Sequence, residues 1–267
     1  MKIQQIRNAT LKLSYGGKVF LIDPWLAAKG ETGAFADFPS FTIGADVDPA
    51  MNDVAMPLVD LPEPVDKILE GVNVYLLTHL HPDHFDFNPA TKALGAPLDH
   101  AVPLFVQNEQ EAMAMKQAGF QEVGVLEGSG TRFGQVTLYK VAATHGEEKP
   151  CGPSCGLVFQ APGEKTLYIA GDTVWYDGVV QNLKKFQPEV IVLNTCCASL
   201  VGYGHLIMDD AAVENVHKMA PQAQIVASHM DVVTHATLTR KTLREKLAAR
   251  GLLDKVLIPE DGETLTF

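Results

Sequence analysis

The segment Thr78-His79-Leu80-His81-Pro82-Asp83-His84 places three histidines and one aspartate within six positions. Imidazole nitrogen and carboxylate oxygen are good ligands for Zn²⁺, Fe²⁺ or Mn²⁺, whereas Mg²⁺ and Ca²⁺ favour oxygen alone. A transition-metal site is therefore the chemistry that this spacing points to. A loop, unlike a helix, can aim such closely spaced side chains at two adjacent points. The competing reading, a solvated His-rich turn, requires all four ligand-type residues to collect at one strand end by accident. Of the 9 His in the chain, a third lie in this single segment.

A strand has to deliver that segment. VNVYLLTH, from Val72 to His79, is short, β-branched and continuously apolar, which reads as a buried strand with a polar loop at its C-terminal end. Upstream, residues 11–15 and 18–22 flank Gly16-Gly17, a pair suited to a two-residue hairpin turn, and the hairpin runs into Asp23-Pro24-Trp25. Residues 26–61 are rich in Gly, Pro, Asp and Ala with little periodicity, and such a stretch inside a compact domain is usually a functional lid or mobile loop. We read it as a candidate lid, in which Trp25, Phe35, Phe38 and Phe41 either cover an apolar substrate or anchor the loop. Helices are predicted from Asn88-Pro89 and from Asn108 through EQEAMAMKQA to Gly119. Strands are predicted near 102–106, 122–126, 135–143, 156–161 and 166–170. The second half alternates: a helix at 178–186, a strand at 189–194, a helix after Met208 capped by Asp209 or Asp210, and a strand at 224–228. A helix at 239–250 closing at Gly251 and short strands in KVLIP and ETLTF finish the chain. This order predicts two β-sheets packed face to face with helices on both outer faces.

HLHPDH resembles the HxHxDH signature of the metallo-β-lactamase superfamily of binuclear metallohydrolases. The superfamily pattern calls for a further His, then an Asp, then a His, each at a strand end. His145 follows QVTLYKVAAT, Asp172 follows LYIAG and His229 follows QIVAS, in that order. The resemblance implies that His79, His81 and His145 hold one metal, that Asp83, His84 and His229 hold the other, and that Asp172 bridges the pair. It implies two divalent transition-metal ions per chain, with zinc or manganese expected before iron. It also implies a single α/β domain over residues 1–267, a four-layer αββα sandwich. IRNATLKLSYGGKVFLIDPWL is similar to the opening hairpin of the branch that includes ascorbate-6-phosphate lactonase and N-acylphosphatidylethanolamine-hydrolysing phospholipase D. Members commonly carry a Gly-His-Ala/Ser-type turn where this chain has Arg7-Asn8-Ala9-Thr10, so any role of that His is absent. Asp23, in the phrase LIDP, either orients a His ligand from behind or only caps the strand-to-loop turn. HLIMDDAA resembles the family's Met-containing loop near the metals, which brings in His205 as a substrate-contacting or proton-shuttling residue.

The chemistry implied is hydrolysis: two divalent ions about 3.5 to 4 Å apart lower the pKa of a shared water and polarise the attacked oxygen. Asp83 is the residue expected to orient the resulting bridging hydroxide and to return a proton to the leaving group. The expected substrate is a small ester, lactone or phosphodiester. Two other functions compete, an RNA-processing nuclease of the same superfamily and a non-hydrolytic di-metal redox or sensor protein. Lys and Arg total 21 against 32 Asp and Glu, and a net charge of −11 disfavours a grip on nucleic-acid phosphates or anionic lipid. The expected partner is a small-molecule substrate, with no nucleic acid and no membrane; a homo-oligomer is compatible with the sequence. No signal-peptide core or long apolar run is present and the chain has 4 Cys, so a cytoplasmic address is expected. Cys151 and Cys155 read as free thiols in a turn, and Cys196-Cys197 as small apolar residues near the pocket floor. His235 reads as a residue behind the metal ligands. The basic run Arg240, Lys241, Arg244, Lys246 and Arg250 reads as cations complementing a helix dipole rather than a phosphate-binding face.

Overall fold

The computed structural model describes residues 1–38 and 40–267. Six strands, β1 (Lys2–Arg7), β2 (Thr10–Tyr15), β3 (Lys18–Ile22), β4 (Val74–Leu76), β5 (Leu104–Val106) and β6 (Val123–Val125), lie side by side in chain order. The next five, β7 (Thr131–Phe133), β8 (Val136–Ala142), β9 (Cys155–Gln160), β10 (Leu167–Ile169) and β11 (Val190–Asn194), begin a second sheet. A separate small hairpin follows, β12 (Ser199–Leu200) with β13 (Gly204–His205). Then β14 (Gln224–Ser228) and β15 (Val256–Leu257) complete the second sheet, and β16 (Thr264–Thr266) returns to the first beside β1. Among the described residues each large sheet has 7 strands.

The helices are α1 (Val65–Leu69), α2 (Glu109–Gln117), α3 (Asp177–Phe186), α4 (Asp210–Met219) and α5 (Arg240–Ala249). Three apolar cores separate four layers. Between the sheets, Leu13, Phe20 and Leu76 meet Leu157, Phe159 and Val192. Outside the first sheet, Ile68 of α1 and Met115 of α2 pack on Tyr75 and Leu104. Outside the second, Val179, Val213, Val216 and Leu243 of α3, α4 and α5 cover Tyr168 and Ile191. The predicted αββα sandwich is the architecture observed, and its alternating pattern follows from burial. β11 is covered on both faces and is buried throughout, whereas β2, near the edge, alternates. No helix among the described residues is long and apolar enough to cross a membrane.

The helix predicted after Asn88 does not form. Asn88 Oδ1 accepts from Ala90 N at 3.0 Å and Thr91 N at 2.9 Å, the start of a cap, but Lys92 then adopts φ of 61° and the chain turns back. The cap chemistry was correct, yet an isolated turn running into Gly95 and Pro97 has no length over which to propagate. Five elements lacked a sequence signal: β1, α1, β7, β12 and β13. They are edge or two-to-six-residue elements whose formation depends on partners distant in sequence.

Parallel pairing sets the site. β10, β11 and β14 run parallel, and β8 is antiparallel to β9, which is antiparallel to β10. The C-terminal ends of β8, β10, β11 and β14 therefore share one edge. β3 and β4 are also parallel, so Asp23 and the 78–84 loop emerge together from the first sheet.

Candidate metal centre

Every ligand-type residue singled out in the sequence except His205 converges on that edge. His79 Nε2, His84 Nε2 and His145 Nε2 stand 3.8, 3.3 and 3.6 Å from Asp172 Oδ2, while Asp172 Oδ1 faces His229 Nε2 at 4.0 Å. His229 Nε2 is also 3.2 Å from Asp83 Oδ2 and 3.3 Å from His84 Nε2. Three triads each have their donor atoms within 4.8 Å of one another: His79, His81 and His145; His79, His84 and Asp172; and Asp83, His84 and His229. Acceptor-type nitrogens this close, with carboxylates between them, are a donor set that fits divalent transition metals. Asp172 faces both outer triads: Oδ2 lies beside His79, His145 and His84, and Oδ1 beside His229.

The opposite atom of most ligands is pinned from behind. His84 Nδ1 pairs with Asp23 Oδ2 at 2.9 Å, and the same carboxylate accepts from Thr78 N at 2.7 Å and Thr78 Oγ1 at 2.8 Å. Asp23 thus both orients a ligand and ties down the loop. His145 Nδ1 donates to Leu206 O at 3.0 Å, His79 Nδ1 meets Thr78 Oγ1 at 3.1 Å, and His229 Nδ1 faces Cys196 Sγ at 3.5 Å. Such contacts fix the tautomer and leave the other nitrogen for a metal.

Two residues of this support were missed in the sequence. Asn194, the last residue of β11, donates to Asp172 Oδ1 at 2.6 Å. Asn8 stands in the turn between β1 and β2; its Nδ2 donates to Asp83 O at 2.9 Å and lies 3.2 Å from His229 Nε2. Its carbonyl accepts from His229 N at 3.0 Å and Ser228 Oγ at 3.0 Å. Asn8 has φ of 53°, Asp23 46° and His229 64°, left-handed conformations that side chains other than Gly adopt infrequently. The available signal was an Asn in a hairpin turn, which tolerates positive φ.

Electrostatics divide the ligands. Burial, reinforced by neighbouring imidazoles, pushes His79 well below the usual His range and His81 down to about 4; burial also lowers His145. Burial alone would raise Asp172 and Asp83, but His84 and His229 hold both well below the usual carboxylate range. His84 is raised well above its usual value against its burial, because Asp172, Asp23 and Asp83 surround it.

Above the centre is a cavity. Its floor is His81, Asp83, His145 and Asp172; its walls are Phe35, Phe38, Phe41, Met56, Leu200 and Leu206, with Pro82, Cys151 and His235 between. Among the described residues no Lys or Arg lines it. The 26–61 segment supplies four of these apolar side chains, and Phe35 and Met56 also join the core cluster under them. Its base is pinned by buried Arg7, which donates to Trp25 O, Ala27 O and Val59 O at 3.1, 2.8 and 3.0 Å, and by Asp86, which accepts Leu26 N. Pro39, within the segment, lies outside the described residues. His205 is elsewhere: its ring sits between Asp46 at 2.9 Å and Glu147 at 3.2 Å, partly exposed, and it does not line the cavity. The basic residues of α5 are paired, Arg240 with Asp231 and Asp261, and Arg250 with Asp210 and Glu214, and offer no phosphate-binding face.

Comparison with known proteins shows the family and the fold. The model of the beta-lactamase superfamily domain matches residues 20–230. The UPF0173 protein YddR of Bacillus subtilis is 43% identical over 100% of both chains. A UPF0173 metal-dependent hydrolase of Xanthobacter autotrophicus is 27% identical over 72% of this chain and 70% of its own. The crystal structure of an isothiocyanate hydrolase from Delia radicum gut bacteria superposes with a TM-score of 0.87 at 40% identity, covering 100% of this chain and 99% of that one.

Proposed function

The chain belongs to the beta-lactamase superfamily and to its UPF0173 metal-dependent hydrolases, and from that premise we propose that it is a binuclear hydrolase of small, neutral molecules whose electrophilic carbon is attached to an apolar body, isothiocyanates foremost. The observation that carries this reading is a cavity with His and Asp donors at its floor, aromatic walls and no cation among its described lining residues. A phosphodiester or RNA would set its further anionic oxygens and polar flanking groups against apolar walls that offer no Arg or Lys to receive them. Esters and lactones remain within the class, but the phosphorylated substrates of the lactonase-like branch fit the walls poorly. The likeness to an isothiocyanate hydrolase supports the choice among neutral electrophiles.

His79, His81 and His145 would hold one ion, Asp83, His84 and His229 the second, with Asp172 shared. Bound there, two divalent ions supply a nucleophile at neutral pH by acidifying water and polarise the group under attack. Asp83, kept ionised by His84 and His229, accepts a proton from the attacking water at a carboxylate oxygen and returns it to the departing heteroatom. The aromatic walls bind the apolar body and exclude competing water. For an isothiocyanate the balance is R–N=C=S plus H₂O giving R–NH₂ plus carbonyl sulfide. The test is a substrate screen on protein reconstituted with Zn²⁺ and with Mn²⁺: amine release from benzyl isothiocyanate, abolished by chelation, is expected. Preferential cleavage of phosphodiesters or RNA, or activity indifferent to chelation, would overturn the proposal.

A further inference from the structure

Among the described residues, His235 is the one imidazole of the cavity wall that belongs to neither the ligand set nor its supports. It is 7% exposed, and its Nδ1 is buried without a hydrogen-bond partner. Among the described residues no protein group bonds the ring's other nitrogen. The ring is instead held by packing, edge-on to Phe35 with centroids 4.8 Å apart. Its backbone is fixed independently, since His235 O accepts from Ser199 N at 2.9 Å. A buried polar group left without a partner is costly, so its persistence in a cavity wall calls for a ligand that completes it.

Its place along the cavity says which part of a ligand it would meet. Phe35, its neighbour, begins the apolar wall, while the charge of Asp83 on the floor acts on the same ring. His235 therefore stands at the boundary between the floor, where the reacting carbon must lie, and the wall, where the apolar body must lie. We infer that His235 is a substrate-contacting, specificity-determining residue that donates a hydrogen bond to the heteroatom joining the electrophilic carbon to the apolar body: the nitrogen of an isothiocyanate, or the bridging oxygen of an ester or lactone. An imidazole carries at least one N–H in both its neutral and its cationic form, and the two orientations of the ring in the same space set either nitrogen toward the cavity. This contact rests on the proposed function for the identity of the substrate, but not for its own test.

The test has two arms. In the first, metal-loaded wild type, His235→Phe and His235→Gln are compared on benzyl isothiocyanate, with bound metal measured on the same samples. His235→Phe keeps the ring packing on Phe35 but loses the donor, and should lower kcat/KM about ten- to hundredfold at unchanged metal content. His235→Gln, which restores an N–H, should recover part of the loss. Equal kcat/KM in wild type and His235→Phe, or a loss of metal in parallel with activity, overturns the inference. In the second arm the imidazole ¹⁵N resonances of the metal-loaded chain are followed while benzyl alcohol, a neutral aromatic with one heteroatom in the linking position, is added. The His235 signal, assigned by its absence in His235→Phe, should move saturably; if it stays fixed, the contact is refuted. If wild type does not hydrolyse benzyl isothiocyanate yet the resonance moves, the proposed substrate fails and the contact stands.

Discussion

At the floor of the cavity each metal-ligand candidate stands at or just beyond a strand end, and most are gripped from behind, as His84 is by Asp23 and Asp172 by Asn194. The 26–61 segment reaches the same cavity with Phe35, Phe38, Phe41 and Met56, but on two short 3₁₀ turns and isolated bridges rather than a ladder. Charge separates the two regions as well: the floor concentrates carboxylates and imidazoles, whereas the cover contributes apolar contact. Under the proposed function the floor would hold the metal chemistry and the cover would define what fits over it. Changes in the first should alter metal content and turnover, and changes in the second should alter substrate preference.

The sharpest separation is expected at Asp172. Asp172→Ala removes the carboxylate common to the outer triads and should lower kcat about a thousandfold, together with the bound metal. Two ions retained per chain would refute its shared role. Asp23→Ala acts one layer back and should weaken metal affinity about ten- to hundredfold, read by competition with a chelator, because His84 Nδ1 and the Thr78 amide lose their acceptor. On the cover, Phe35→Ala should raise KM for benzyl isothiocyanate about tenfold while leaving metal content alone. Equal losses of metal and affinity would mean that the segment is part of the floor's framework.

The smallest effect concerns how the cover is fastened. His205 joins Asp46 of the segment to Glu147 beside the floor, and these carboxylates raise its pKa against the opposing effect of burial. A raised His pKa stabilises the pairing below the ordinary His range, and the contribution is lost as pH rises through the elevated value. Amides of residues 42–48 should therefore exchange faster at pH 9 than at pH 6, after correction for intrinsic rates, with those of β11 and β14 unaffected. His205→Gln should abolish the difference. If exchange at 42–48 keeps its pH dependence in that variant, the pairing is not the fastening.

The same division explains what the sequence disclosed. His79 to His84 were legible from their spacing at the end of a buried strand, whereas His145, Asp172 and His229 stood out only through the resemblance to the superfamily pattern; the fold brings all of these side chains to one edge. The hairpin around Gly16-Gly17 and the helices at Asn108, Asp209 and Thr239 were legible because their turn and cap residues act locally. Asn8 and Asn194 were not, since an Asn beside a ligand in space carries no mark in its own neighbourhood. His235 looked like a residue behind the ligands, but the fold puts it in the cavity wall. His205 illustrates the limit of local resemblance: its loop lies where expected and Leu206 O receives His145, yet the His205 ring turns outward to carboxylates. The helix foreseen at Asn88 failed for the converse reason, a sound cap with no length to propagate before Gly95 and Pro97.

Under the proposed function the floor would hold two ions as one unit. Metal-stripped protein titrated with Zn²⁺ or Mn²⁺, with bound metal counted by mass spectrometry and amine release from benzyl isothiocyanate followed on the same samples, tests it directly. Saturation at two ions per chain, with hydrolysis appearing as the second site fills, is the predicted result. Saturation at one ion with full hydrolysis, or hydrolysis by the stripped chain, would contradict it.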